Sequence, residues 1–142
     1  MCETTTSKRP NRAEKSQGMN WISQHKRLAI YLRDGLACCY CGAKVTEGTK
    51  LTLDHVVPYS EGGVLVDQKN LVTACHTCNS RRQNKPVSEY VQIIAKELGL
   101  KKTCILRHID KCLNRELDTK FAKQLVENQG SCFKAIQSHF IK

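Results

Sequence analysis

Four cysteines form two pairs whose spacing is typical of a metal site. Two residues separate the members of each pair, and the pairs are Cys38 with Cys41 and Cys75 with Cys78. A turn residue follows each pair, so both thiolates of a pair can lie on one side of a tight loop. Two such loops facing each other supply four sulfur ligands in a tetrahedron, the arrangement that suits Zn²⁺. Because four protein ligands leave no open coordination position, we expect this zinc to be structural.

The chain has nine cysteines, and those outside the two pairs carry weaker arguments. Cys39 lies inside the first pair, too close to Cys41 to match the usual gap, and we do not take it as a ligand. Cys104, His108 and Cys112 recur every four residues, which would place them along one helix face. This pattern could be a second metal site. We favour instead small buried cysteines beside a surface histidine.

Asp54 and His55 are adjacent in residues 50–57, an apolar segment that the pattern predicts to be a strand. Strand alternation puts His55 on the face of Leu51 and Leu53, and Asp54 on the opposite face. A twist or bulge at the pair could still turn both polar groups toward one site. An Asp-His pair in an apolar strand is more often a simple hydrogen-bonding pair than a catalytic one.

Two asparagines support a catalytic interpretation of the Asp54-His55 pair. Asn79 directly follows the last cysteine of the second pair, so a metal clamp there would fix its position. Asn70 precedes the segment that leads into the same pair. Two amide side chains therefore lie on the segments that flank the second cysteine pair.

Taken in order, these motifs resemble the zinc-containing HNH endonuclease family. The matching segments are Arg33-Asp34-Gly35, Cys38-Cys39-Tyr40-Cys41-Gly42, Leu53-Asp54-His55-Val56-Val57-Pro58, Gly62-Gly63, Asn70-Leu71 and Cys75-His76-Thr77-Cys78-Asn79. The resemblance covers residues 27–86 and leaves out both ends of the chain.

The resemblance implies an α+β fold, with a ββα-metal core of two strands and a helix around one divalent cation. His55 would be the general base that activates water. Asp54 and Asn79 would bind the cation, with Asn79 standing where other members have the final histidine. Asn70 would brace the loop and orient His55. The products would carry 5′-phosphate and 3′-hydroxyl ends, and the four paired cysteines would hold the zinc.

The chemistry of these residue types agrees with that reading. Hydrolysis of a phosphodiester needs water to lose a proton near neutral pH, and an imidazole with an ordinary pKa of about 6.5 suits that task. A hard cation stabilises the leaving oxygen and the charge that develops on phosphorus. Carboxylate and amide oxygens favour Mg²⁺ or Mn²⁺ over Zn²⁺, which separates the two expected metals.

The charge of the chain indicates a polyanionic partner. It has 23 Lys and Arg against 13 Asp and Glu, a formal net charge of +10. We expect double-stranded DNA as the substrate, with its phosphates contacted by Arg81, Arg82 and Lys85. An ordinary solvated charged face is the alternative reading of that cluster.

Helical periodicity before and after this region defines the rest of the organisation. We expect a disordered basic arm at 1–18, an HNH nuclease domain with a leading helix at 19–86, and an extension of three or four helices at 87–142. Short strands are predicted at 50–57 and 64–66, with a Gly62-Gly63 turn between them.

The sequence also suggests a cellular location for the protein and two alternative functions. No apolar segment looks like a signal peptide or a membrane span, so we expect an intracellular, cytoplasmic protein without a membrane partner. A homodimer or a larger assembly is compatible with the sequence. The main rival is a non-catalytic zinc-stabilised module that binds DNA or RNA. A redox protein that uses its cysteine pairs is the third class.

Overall fold

The computed structural model describes residues 21–57 and 67–141. The arm predicted at 1–18 lies outside these residues, as do the strand predicted at 64–66 and the Gly62-Gly63 turn. Pro58, which ends the strand motif, also lies outside them.

A two-stranded antiparallel hairpin forms the centre of the described fold. Strand β1 runs over Leu51–His55 and strand β2 over Leu71–Cys75. The register pairs Leu51 with Cys75 and His55 with Leu71 without a break. The sequence prediction missed β2 and treated its residues as a connection. All five residues of β2 are buried, so the segment shows no polar alternation to mark it as a strand.

Helix α1 spans Gln24–Arg33 and packs on the hairpin. Ser23 caps its first turn by accepting a hydrogen bond from the Lys26 amide. A buried ion pair ties its other end to β2: Arg33 donates to Asp34, and Asp34 accepts from the Thr73 amide at 2.8 Å. The Arg33 guanidinium also donates to the Leu71 carbonyl, so Arg33 is an internal connector of the fold.

Helix α2, at His76–Arg82, follows β2 directly, and Cys75 is its N-cap. Four further helices complete the described chain: α3 at Val87–Leu98, α4 at Lys102–Asn114, α5 at Thr119–Gln129 and α6 at Cys132–His139. Gly99 and Gly130 end α3 and α5 at positive φ, where glycine has no steric penalty. The predicted α+β class is confirmed.

The C-terminal helices cover both faces of the hairpin. On one face, Val72 and Ala74 share a buried cluster with the cysteine loops and with α3 and α4. On the other face, Leu53 and Leu71 share a second cluster with α1, α5 and α6. Both faces of the hairpin are therefore buried by elements distant in sequence. None of the helices in the described residues combines the length and apolar character of a membrane-crossing segment.

Candidate functional site

The fold brings the four paired cysteines into one cluster. The Sγ atoms of Cys38, Cys41, Cys75 and Cys78 all lie within 4.8 Å of one another. The Sγ atoms of Cys41 and Cys75, one from each pair, are 3.7 Å apart. Three of the four residues are buried and Cys41 is half-buried. The cluster can therefore hold a metal ion between the two loops.

Backbone amides point at the sulfurs of this cluster. The Tyr40 and Cys41 amides donate to Cys38 Sγ at 3.4 Å, and the Cys78 amide donates to Cys75 Sγ at 3.3 Å. Such bonds stabilise thiolates, which are the form that binds metal. Gly42 closes the first loop at φ +81°, with its amide on the Cys38 carbonyl.

The thiols of Cys38 and Cys41 have shifted pKa values. A hydrogen bond from the Cys78 thiol lowers the pKa of Cys38 to about 5. Burial raises the pKa of Cys41 to about 11. Because a metal ion displaces thiol protons, the donor set fits a cation better than four neutral thiols.

Asp54 lies on one face of β1, next to α2 and the first cysteine loop. Its Oδ2 accepts hydrogen bonds from the Tyr40 hydroxyl and from Arg82 Nη1, the latter at 2.6 Å. Burial, followed by the Asp54 charge, raises the pKa of Tyr40 well above its usual range, so its hydroxyl stays protonated and donates. Sequence reasoning missed this role of Tyr40, although the residue lies between two cysteines of the first pair.

Arg82 is an internal residue, and its predicted contact with phosphate needs correction. It is 1% exposed, and besides Asp54 its guanidinium donates to the carbonyls of His55, Val56 and Lys85 at 2.7–2.9 Å. Arg82 stands three residues after Asn79 on α2, so both side chains face β1. The helix phase, which the sequence prediction ignored, turns this arginine inward.

The other two predicted phosphate contacts lie at or near the surface. Arg81 is exposed and forms a two-point ion pair with Glu97 on α3, with Nη1 and Oε1 3.0 Å apart. Lys85 is half-buried and donates to the Arg81 carbonyl at 3.2 Å. Both cations therefore lie near the end of α2.

Asn79 reaches the same strand as Asp54. Its Nδ2 donates to Thr52 Oγ1 at 3.0 Å and to the Leu53 carbonyl at 3.2 Å. In the described part of the chain, both of these bonds involve the side-chain nitrogen of Asn79. The hydrogen bonds that Asp54 accepts from Tyr40 and Arg82 both involve Asp54 Oδ2. Among the described residues, one side-chain oxygen of each residue therefore takes no part in these bonds.

His55 lies on the opposite face of β1 from Asp54. Its ring packs against Trp21, with the ring centroids 5.1 Å apart, and the residue is 8% exposed. The strand pairs regularly through both residues, so the bulge that could have turned them to one side is absent. Both stand at the end of β1, where Arg82 holds the His55 carbonyl. The contact with Trp21 was not predicted, because it joins segments far apart in the sequence.

The side chain of Asn70 forms hydrogen bonds with Val57, so it connects the segments before and after residues 58–66. Its Oδ1 accepts from the Val57 amide at 2.8 Å and its Nδ2 donates to the Val57 carbonyl at 3.0 Å. The Val56 amide donates to the Asn70 carbonyl at 2.9 Å. Asn70 therefore fixes the backbone immediately after His55.

Comparisons with known proteins agree with this arrangement. Residues 38–85 match the HNH endonuclease family. The chain is also 29% identical over 103 residues to the CRISPR-associated endonuclease Cas9 of Corynebacterium diphtheriae, an alignment that covers 67% of this chain. The chain spans only 9% of the length of that relative. No solved structure matches. Residues 38–85 therefore form a domain of the HNH endonuclease family.

Proposed function

We propose that this chain is a metal-dependent endonuclease that hydrolyses phosphodiester bonds in DNA. The observation that carries the proposal is the arrangement at the end of β1, inside the family match. Asp54 and His55 end the strand, Asn70 holds the chain that follows, and Asn79 is hydrogen-bonded to the strand. A nuclease needs a base, a cation site and a fixed loop, and these residues are of the types that supply them.

In this proposal the divalent cation is Mg²⁺ or Mn²⁺, held by Asp54 and Asn79. The remaining oxygen of each side chain is a hard ligand of the kind these cations prefer. When bound, the cation supplies charge that stabilises the leaving 3′-oxygen. Arg82 and Tyr40 fix the Asp54 carboxylate from its other oxygen, which keeps the first oxygen in a constant position.

His55 takes a proton from the attacking water. Trp21 restricts the orientation of its imidazole, and Arg82 and Asn70 restrict the backbone on which it stands. Because His55 is the last residue of β1, a phosphate lying across the strand end can meet the imidazole from one face and the Asp54 side from the other. Attack in line with the leaving group yields 5′-phosphate and 3′-hydroxyl ends.

The remaining parts have supporting roles. Zn²⁺ held by Cys38, Cys41, Cys75 and Cys78 fixes the start of α2, and with it Asn79. Arg81 and Lys85 are the cations at the end of α2 that could contact the phosphates of double-stranded DNA. The helices of 87–142 support this domain and do not take part in the chemistry.

A second candidate function is a zinc-stabilised DNA- or RNA-binding module without catalysis. One observation favours it: Asp54 already forms an ion pair with Arg82, on the face opposite His55. Such a module would bind nucleic acid with strong salt dependence and would not cut it.

The test is nicking of supercoiled plasmid by the wild type, His55→Ala and the control His139→Ala, each with Mg²⁺, Mn²⁺ or EDTA. His139 is an exposed histidine on α6, far along the chain from the proposed site. We expect His55→Ala to lower the nicking rate by about 10²-fold or more, the usual contribution of a general base. His139→Ala should cut like the wild type, and EDTA should stop both.

Zinc content and the circular dichroism spectrum decide how a loss is interpreted. If His55→Ala keeps both and loses nicking, the proposal stands. Cleavage that persists in a clean preparation of His55→Ala contradicts the assigned base. Salt-sensitive DNA binding by the wild type, without cleavage under any metal, supports the binding module.

A further inference from the structure

A second cluster of metal-binding side chains lies between the first cysteine loop and α4. The ligand atoms of Cys39, His108 and Cys112 all lie within 4.8 Å of one another. The Sγ atoms of Cys39 and Cys112 are 3.8 Å apart, and Cys112 Sγ is 3.6 Å from His108 Nε2. Cys39, set aside by the sequence prediction, thus joins two of the three residues that recur along α4.

These distances match the edges of a tetrahedral coordination sphere. With Zn–S bonds of about 2.3 Å and a Zn–N bond of about 2.0–2.1 Å, a tetrahedron has S–S edges of about 3.8 Å and S–N edges of about 3.6 Å. The distance between the two sulfurs is much longer than the S–S bond of a disulfide, about 2.05 Å. Two of the three edges therefore have the lengths expected for ligands around an ion, and the third, from Cys39 to His108, is within 4.8 Å.

The fold holds the three ligands from two directions. Cys39 is fixed by its amide, which donates to the Thr73 carbonyl of β2 at 2.9 Å. His108 and Cys112 are one turn apart on α4, so they share a face of that helix. Cys39 and Cys112 are buried, while His108 is exposed.

An open cleft lies beside the cluster. It has a volume of about 220 Å³, and its walls include Cys39, Cys104 and His108. Three protein ligands leave a fourth tetrahedral position, and water from this cleft can fill it.

We propose that Cys39, His108 and Cys112 bind a second ion of the Zn²⁺ class, distinct from the ion of the four-cysteine cluster. Two thiolates and one imidazole form a ligand set that selects Zn²⁺ over Mg²⁺ or Mn²⁺. The ion connects α4 of the C-terminal helices to the loop that carries Cys38 and Cys41. It therefore joins the helical extension to the HNH domain, and this role does not depend on whether the chain cuts DNA.

The experiment measures zinc per chain in the purified full-length protein by elemental analysis. The variants are His108→Ala and Cys112→Ala, and the control is Cys132→Ala, a buried cysteine of the other core cluster. We expect about two zinc ions per chain in the wild type and in Cys132→Ala, and one fewer in both His108→Ala and Cys112→Ala. Because His108 is exposed, its substitution should leave the fold intact, which circular dichroism checks.

Titration of the metal-free wild type with Co²⁺ supplies a second readout. Sulfur-to-cobalt absorption should saturate near two equivalents in the wild type and near one in His108→Ala. Equal zinc content in the wild type and His108→Ala would overturn the proposal. So would a Cys39–Cys112 disulfide found by mass spectrometry in protein purified without reductant.

Discussion

At the scale of the residue, Arg82 shows how one buried side chain organises the candidate site. Its guanidinium connects the Asp54 carboxylate to three backbone carbonyls around the end of β1. Its neighbour Arg81 has the same chemistry but lies in solvent, paired with Glu97. The two residues differ only in their phase on α2, and a prediction that ignores helix phase does not separate a structural arginine from a surface one.

This difference in burial predicts that the same substitution at the two positions lowers the free energy of unfolding by unequal amounts. Arg82→Met should lower the free energy of unfolding by about 3–5 kcal/mol, because it leaves the buried Asp54 carboxylate without its partner. Arg81→Met should change it little, as expected for an exposed ion pair. Urea unfolding of the metal-loaded proteins measures both values. Similar costs for the two variants would mean that Arg82 is not buried as described.

At the scale of the element, helix α6 docks on the leading helix through its first residue. The Cys132 amide donates to Gln24 Oε1 at 2.9 Å, and the Cys132 side chain is buried in the cluster shared with α1. Burial raises the pKa of the Cys132 thiol to about 11. The buried site between α6 and α1 therefore favours the neutral thiol.

This packing predicts a loss of stability in alkali. The pKa of the Cys132 thiol is raised on folding. The neutral thiol therefore contributes fully to the free energy of unfolding below the unfolded pKa of about 9, and this contribution is lost as the pH rises toward 11. Cys132→Ala lacks this titration. The free energy of unfolding of the wild type, relative to Cys132→Ala, should therefore fall by about 2 kcal/mol between pH 8 and pH 10.5. Denaturant unfolding of both proteins at the two pH values measures the change, and a constant difference would contradict it.

At the scale of the whole molecule, the helices after residue 86 complete the core of the HNH domain. Val91 and Ile94 of α3 share a cluster with the cysteine loops. Ala122 of α5 and Ile136 of α6 share the other cluster with α1 and with Leu53 of β1. We therefore propose that the predicted extension and the nuclease domain fold together.

A truncated chain tests this dependence. A fragment of residues 1–86 would keep only the cysteine loops and α1 as cover for the hairpin, and a two-stranded sheet with little cover is marginal in water. We expect the fragment to lose cooperative thermal unfolding and to be digested rapidly by trypsin, even with Zn²⁺ present. The full-length protein is the control. A cooperative transition in the fragment would show that the nuclease domain folds independently.

The sequence by itself predicted the cysteine pairs, because these depend on local spacing. The order of its motifs indicated the HNH family, and that resemblance implied the α+β class. Periodicity within single elements predicted the leading helix and the helical structure after residue 86. It did not predict β2, whose uniform burial leaves no alternating pattern.

Only the tertiary structure decided which polar side chains meet. Tyr40 joins Asp54, Arg82 turns inward, Trp21 packs on His55, and Cys39 reaches Cys112 across 73 positions. Each of these contacts joins segments that are distant in sequence. Their partners are set by strand register, by helix phase and by the way the helices pack on the hairpin, and no local pattern encodes these three properties together.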